Sequence, residues 1–345
     1  MRPPNVRQTV EAMQVDTIAK ATANAGAKHR TTLVAPRAKL FQRIHALAIL
    51  VVPFVGTIAA VAIAARRGLA PFDAALLIVM YFLTVTGITV GFHRLLTHRA
   101  FQAGTATKAA LTVLGSMAAQ GPPIYWVSNH RLHHQYSDLP GDPHSPYFDG
   151  PKPLSGWRGL WHAHVSWTFH HDLTNPIVFA KDLLRDPLLG QLNRLYYLWV
   201  SLGLALPALA GGIYAQSWSG ALTGFLWGGL IRLFLTYHAT NSINSLTHAF
   251  CSRPFNTREH SRNNLWLIVP TVGEAWHNNH HAFPTSAIFG LNWRQLDLGG
   301  LVVLALERAR LIWGVNRTTP QMIERRRRRD EQQETALRSA DRGRG

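Results

Sequence analysis

Cysteine is almost missing from this chain: Cys251 stands alone among 345 residues. No disulfide can form within it, which excludes the framework that holds many small secreted domains together. Charge is scarce as well, and acid is the scarcer sign. Charged residues make up 15% of the chain, with 18 Asp and Glu against 35 Lys and Arg, whereas a soluble domain carries about 25%. No glycine-rich phosphate loop follows a strand pattern, so a nucleotide or flavin module is not visible. The zinc-protease spacing His-Glu-x-x-His is missing. Glu-x-x-His, which carboxylate di-metal bundles need twice, occurs once, at Glu274-Ala-Trp-His277. The first 40 residues are polar and lack the basic-then-apolar layout of a cleaved leader, so no targeting segment is expected.

Long apolar runs, by contrast, are plentiful. Residues 46–65, 72–92, 195–215 and 218–237 are each long enough to cross a hydrocarbon core of about 30 Å, which takes roughly 20 helical residues. Short turns, 66–71 and Gln216-Ser217, join them into two hairpins. The expectation is an all-α integral membrane protein, multi-pass, with both termini on one side. Residues 1–43 hold eight Lys and Arg against Glu11 and Asp16, and an arginine run fills 325–329. That excess places the termini in the cytoplasm and outweighs Arg66 and Arg67 in the opposite turn. Residues 1–40 are expected to be a flexible basic tail, 41–315 the membrane domain and 316–345 an Arg-rich tail with a helical turn or two around 322–329. The stretch 108–125, broken by Gly115 and Gly121-Pro122-Pro123, is expected to lie against the bilayer or the core, with a fifth span as the competing reading. No recognition-helix or zinc-finger pattern accompanies the basic runs, so the bilayer rather than nucleic acid is the expected partner.

Eighteen histidines need an explanation, and their spacing supplies it. His93 and His98 follow the second span directly. His130, His133 and His134 form a second cluster, and His277, His280 and His281 a third. His29, His45 and His260 are read as ordinary polar positions. On a helix His130 flanks both His133 and His134, while adjacent histidines diverge by about 100°, so His133 and His134 aim at two different points, as do His280 and His281. Two facing clusters of this kind suit two metal ions better than one. His93 and His98 stand about 140° apart on an ideal helix and need a helix end or a distorted turn to share an ion. Imidazole serves Zn, Cu, Fe and Ni alike. A carboxylate-poor set of eight or more nitrogens nevertheless suggests an oxygen-activating pair with open positions rather than a closed structural site.

With these boxes, written His-Arg-x-x-x-His, His-Arg-x-His-His and His-Asn-x-His-His, the chain resembles the membrane fatty acyl desaturases, and among them the acyl-CoA Δ9 branch. The resemblance covers roughly residues 40–315. It extends to Gly141-Asp142-Pro143-His144, His164-Val165-Ser166-Trp167, Asn244-Ser245-Leu246-Thr247-His248, Arg253-Pro254-Phe255 and Gly273-Glu274-Ala275-Trp276. It implies four transmembrane helices in two hairpins under a cytoplasmic helical cap that holds a di-iron site. One iron would be held by His93, His98, His130, His134 and His280, the other by His133, His248, His277 and His281, with Asn244 reaching the second through water. Dioxygen is the implied co-substrate, and a cis double bond, Δ9 by resemblance, the implied product. Asp138, Asp142 and Glu274 are candidates for orienting the imidazoles through their second ring nitrogen.

Trp126 matches a tunnel-lining tryptophan of the family, and Leu77 and Tyr81 fall where the family's tunnel is closed. His171 and Asp172 stand where animal acyl-CoA desaturases carry an Arg-Lys pair for the CoA phosphates, Asn241 replaces a tryptophan, and Ser166 a glycine. Acyl-CoA is the carrier expected first, with phospholipid or carrier-protein acyl groups behind it. Electrons are expected from a separate protein such as a ferredoxin or a b-type cytochrome. A di-iron lipid hydroxylase is the nearest rival, and a non-enzymatic membrane metal-handling protein the more distant one.

Overall fold

The computed structural model describes residues 31–342; the basic segment 1–30 lies outside them, and so does the greater part of the expected N-terminal tail. Helix dominates. In chain order, α1 runs over Pro36–Arg67, α2 over Pro71–Thr97, α3 over Thr105–Met117, α4 over Pro123–Tyr136 and α5 over 156–170. They are followed by α6 (Tyr196–Ala215), α7 (Trp218–Ala249), α8 (His277–Ala282), α9 (Leu298–Arg308) and α10 (Pro320–Arg342). Three antiparallel two-residue ribbons clamp the loops, pairing Thr32 with Thr174, Gln102 with Trp313 and Phe148 with Pro153.

Among the described residues four helices, α1, α2, α6 and α7, are long and apolar enough to cross a membrane. They form the two hairpins that the sequence predicts, but three of them overrun the expected ends. Helix α1 starts at Pro36, a residue whose fixed φ suits the first helical position. Helix α2 continues through His93 to Thr97, and α7 runs twelve residues past Tyr237 to Ala249. The polar residues that look like the end of that span, among them Asn241, Ser245, Thr247 and His248, are buried against protein. Helices α1 and α6 turn Leu47, Val55, Ile58, Leu209 and Ile213 outward, a surface that only hydrocarbon or another apolar body would cover.

The stretch 108–125 resolves into α3 and the start of α4, parted at Gly121-Pro122. At 1.5 Å per residue the 13 residues of α3 measure about 20 Å, too short for a fifth span. Helix α3 lies against α2 at closest approach where Gly87 meets Gly115: a Cβ on Gly87 would sit 2.1 Å from the Gly115 nitrogen. Small residues permit such backbone contact between apolar helices. Arg232 is fully buried among the spans and spends its donors on main-chain carbonyls, giving Nη1–H to Met117 (2.6 Å), Nη2–H to Gly203 (2.7 Å) and Nε–H to Gly228 (3.3 Å). It thereby joins α3, α6 and α7 through main-chain carbonyls, which satisfies its donors where no water can.

The C-terminal expectation needs correcting. Residues 320–342 form one continuous helix rather than a flexible tail with a turn or two. Asp330 accepts the Asn256 N–H (3.0 Å), Arg326 donates to the Asn256 carbonyl (2.9 Å), and the i,i+4 pairs Arg326–Asp330 and Arg328–Glu324 offset the repulsion within the arginine run. At the other end, Thr32–Leu33 is strand and Pro36 opens α1, so the expected tail stops short of residue 40.

Gly87→Ala forces backbone against backbone and should destabilise the protein by about 1–3 kcal/mol, seen as a lower unfolding temperature in detergent. An unchanged midpoint would mean that α2 and α3 stand further apart.

Candidate metal centre

The last three turns of α2 are wound wider than an α-helix. Over Gly87–Thr97 hydrogen bonds run from residue i+5 to i, and the His98 N–H continues the pattern to the His93 carbonyl (3.1 Å). The wider turn takes more residues than the 3.6 of an α-helix, so residues five apart fall nearer one face, and the rings of His93 and His98 stand 4.8 Å apart, centroid to centroid. On α4, one ordinary turn brings the Nε2 atoms of His130 and His134 to 3.0 Å, while His133 turns aside toward His248, 5.3 Å away ring to ring. Arg131, between them, donates to the carbonyls of Leu96 (2.7 Å) and Thr97 (3.1 Å) and pairs with Asp182 (2.7 Å), tying α4 to the end of α2.

Helix α8 has only six residues and would not persist alone. Side-chain amides hold it. Asn263 accepts the N–H groups of Asn278 (3.0 Å) and Asn279 (3.1 Å) at its start, Asn278 donates to the Phe255 carbonyl (3.1 Å), and Asn279 donates to that of Phe289 (2.9 Å). His277, His280 and His281 are thereby presented to the other histidines.

All nine histidines come together in two groups. His93, His98, His130, His134 and His280 form one, and His133, His248, His277 and His281 the other; within each group the candidate ligand atoms lie within 4.8 Å of one another. The nitrogens face each other: His93 to His280 at 3.1 Å, His134 to His280 at 3.0 Å and His248 to His277 at 2.9 Å, all Nε2 to Nε2. Burial first, and neighbouring imidazoles second, push His98, His130, His133, His134, His277 and His280 well below the ordinary imidazole range, so these rings are neutral. The Nε2 atoms of His98 and His281 are buried without a hydrogen-bond partner. Converging lone pairs repel unless a cation lies among them, so both groups fit a metal ion.

Carboxylates stand behind several rings. His133 donates through Nδ1 to Asp142 (3.0 Å), His248 to Asp138 (2.8 Å) and His93 to Glu274. Each bond sends the proton to Nδ1 and leaves Nε2 free to ligate. Burial alone would raise the Asp138 carboxyl, but His248 and the His260 N–H hold it down to about 2. Asp142, deeper, is pushed up by burial.

Four features escape a reading of the sequence. Glu259 lies 3.5 Å from Nδ1 of His281, and although burial would raise its carboxyl, His281 and the Ser261 N–H keep it far below the usual range. Arg94, buried over the face of Phe289 at 4.0 Å, donates to Asp297 (2.8 and 3.0 Å) and reaches Glu274 at 3.5 Å, extending the support behind His93. Asp297 is therefore part of it. His144 lies 4.4 Å from His133, ring to ring. Only the loop position of Glu259 beside a histidine, and the arginine fixed next to His93, hint at these roles.

A cavity of about 300 Å³ opens beside the centre, between the first turns of α1, the start of α4, α5 and the middle of α7. Trp126, Asn244, His130 and His144 border its inner end, and Trp126 stacks on His130 with ring centroids 5.0 Å apart. His45, read as an ordinary polar position, also borders it. Among the described residues, none that lines it is Lys, Arg, Asp or Glu. Leu77 and Tyr81 do not border this cavity: Leu77 packs beside Ala60, Leu226 and Leu230, and Tyr81 donates its hydroxyl to the Pro270 carbonyl (2.5 Å) among Val85 and Val272.

Removing an orienting carboxylate should loosen the metal without unfolding the chain. Glu259→Gln and Asp142→Asn should each lower metal retention against a chelator by about 10–100-fold. Retention equal to the parent protein would reduce these carboxylates to packing.

Comparison with known proteins agrees with the site. The fatty acid desaturase family model matches residues 68–299. Among relatives, the hex-5-enoyl-[acyl-carrier protein] acetylenase of Moorena producens (strain JHB) is 43% identical over 315 residues, 91% of this chain and 98% of that protein. The sn-1 stearoyl-lipid 9-desaturase of Anabaena variabilis is 37% identical over 67% of this chain and 79% of its own length. The acyl-CoA C20 Delta5-desaturase of Anemone leveillei is 36% identical over 65% of this chain and 67% of its own. With three histidine boxes meeting at the ends of four apolar helices and a family match along most of its length, this chain belongs to the fatty acid desaturase family, whose members are oxidoreductases acting on fatty acyl chains.

Proposed function

We propose that the protein is an O2-dependent desaturase that binds two iron ions through the nine histidines and introduces a cis double bond into an acyl chain lying in the cavity beside them. The observation that carries this reading is that His130 of the first histidine group, with Asn244 one turn before His248 of the second, borders the inner end of a cavity whose wall, among the described residues, holds no Lys, Arg, Asp or Glu. An iron pair there supplies the activation of dioxygen that an unactivated methylene pair requires. The chain's own residues do the rest. Trp126, stacked on His130, forms a rigid wall against which a methylene pair can be held, and Phe41, Ala46 and Ile49 of α1 offer apolar surface that excludes water. Asn244, one helical turn before His248, turns its amide toward the cavity and donates to Asn241 (3.3 Å), a position suited to holding a water at the second iron.

The Δ9 position belongs to this proposal too. It rests on the resemblance of the three histidine boxes to those of the Δ9 branch. For the carrier, acyl-CoA is the first expectation. At the mouth, His171 contacts Gln42 (2.9 Å) and the Tyr125 hydroxyl (3.0 Å), and Asp172 takes the ammonium of Lys39 (3.0 Å). The CoA phosphates would have to be held elsewhere, so acyl groups on phospholipid or carrier protein compete with CoA. The termini and the metal centre are proposed to face the cytoplasm, on the charge distribution already described.

Expressed in a host lacking its own desaturase, the protein should yield new cis-monoenes by gas chromatography with mass spectrometry, and His134→Ala should yield none. Hydroxy acids would move the assignment to a hydroxylase, and no product from folded, iron-loaded, reduced protein would overturn the enzyme reading. Tyr81 does not border the cavity and enters chain-length control only through the family resemblance, which implies that Tyr81→Ala lengthens the preferred chain; an unchanged product profile would remove it from that role.

A further inference from the structure

Two openings lead to the nine histidines, and they lie on different sides of them. Five of the nine are buried and four are half-buried. Of the four, His130 borders the acyl cavity. The other three, His98, His134 and His281, all border a separate open cleft of about 490 Å³. Three arginines from different parts of the chain frame that cleft: Arg131 on α4, Arg258 in the loop before α8, and Arg326 on α10. Arg131 is spent on Asp182 and on carbonyls, but Arg258 is exposed and donates only to the Gln135 carbonyl (3.0 Å). Beyond the rim, Arg325, Arg327 and Arg329 are exposed and have no ion-pair partner among the described residues. The carboxylate at the cleft, Glu259, is buried and faces His281.

We propose that this arginine-framed cleft is the docking site of an acidic one-electron carrier protein that reduces the metal centre through His98, His134 and His281. The inference rests on the desaturase reading. Converting CH2–CH2 to CH=CH while O2 becomes two waters consumes two electrons and two protons beyond those of the two broken C–H bonds. A one-electron carrier must therefore visit twice per turnover, while the acyl chain occupies the cavity on the other side. The cleft is a second approach, separate from that cavity, and His98, His134 and His281 border it. Fixed positive charge around it raises the encounter rate of an acidic protein, and a small polar contact suits a partner that must leave after each electron. An anionic membrane is the other acidic surface. It is disfavoured because α10 and the 253–262 loop cap the histidines beyond the ends of α2 and α7, away from the outward apolar side chains of α1 and α6.

The test uses the full-length protein in neutral nanodiscs and an oxidised plant-type [2Fe–2S] ferredoxin as the probe. Arg258→Glu combined with Arg329→Glu should weaken ferredoxin binding about tenfold at low salt, with the difference shrinking at high salt. The same charge reversal at Arg66 and Arg67, in the last turn of α1, should leave binding unchanged, and Arg258→Lys should restore it. In turnover the KM for ferredoxin should rise while the KM for the acyl substrate stays constant, and product from one reduction with dithionite should be unaffected. Equal weakening by both charge reversals would reduce the effect to bulk charge and overturn the site. So would loss of binding to phosphatidylserine vesicles but not to ferredoxin, which would make this a membrane surface. Altered ferredoxin binding with no acyl product from any variant would sink the desaturase reading and leave the docking site standing; product formation with unaltered ferredoxin binding would do the reverse.

Discussion

Nine imidazoles packed against one another in two groups are the constraint around which the rest of this protein is arranged. Nitrogen lone pairs at about 3 Å repel, and burial removes the water that would otherwise separate them. Holding them there requires two things: a cation among them, and helices that resist being pushed apart. The second requirement explains features that have no other use. Arg131 ties α4 to α2, Asn263 and Asn278 lock a six-residue helix in place, and Arg94 links Asp297 and Glu274 behind His93.

The widened turn at the end of α2 follows from the same need. An ordinary helix sends residues five apart to different faces, whereas i+5 bonding aligns them, at the expense of poorer packing around the wider turn. That loss is made up by close contact with α3, where Gly87 and Gly115 let the two backbones touch. The geometry of one histidine pair is thus set partly by two glycines on neighbouring helices. Polar side chains do comparable work at the other hairpin, where Arg232 feeds three main-chain carbonyls in an apolar setting.

The centre also divides the molecule's surface by chemistry. On one side lies a cavity lined, among the described residues, by no Lys, Arg, Asp or Glu, and so suited to hydrocarbon. On the other lies a cleft framed by arginine. Four half-buried histidines mark these two sides, while the buried five lie between carboxylates and apolar core.

Much of this was legible in the residues themselves. Apolar length alone predicts the four long helices, because hydrocarbon thickness sets a minimum run that few soluble segments reach. The angle between adjacent residues on a helix already separates His133 from His134 and His280 from His281, and the structure places the members of each pair in different groups. Other features depended on tertiary contacts. Asn241 to His248 look like the polar end of a span, yet they remain helical because protein, not lipid, surrounds them. The arginine run looks like a free tail but is helix where i,i+4 carboxylates and Asn256 anchor it. Glu259, Asp297 and Arg94 join the site through partners far along the chain, and Leu77 and Tyr81 pack into apolar clusters of their own rather than against the cavity. Local spacing and hydrophobic length are properties of a segment, and so the sequence determines them; which buried polar group meets which partner, and where empty space remains, is set only when distant segments close on one another.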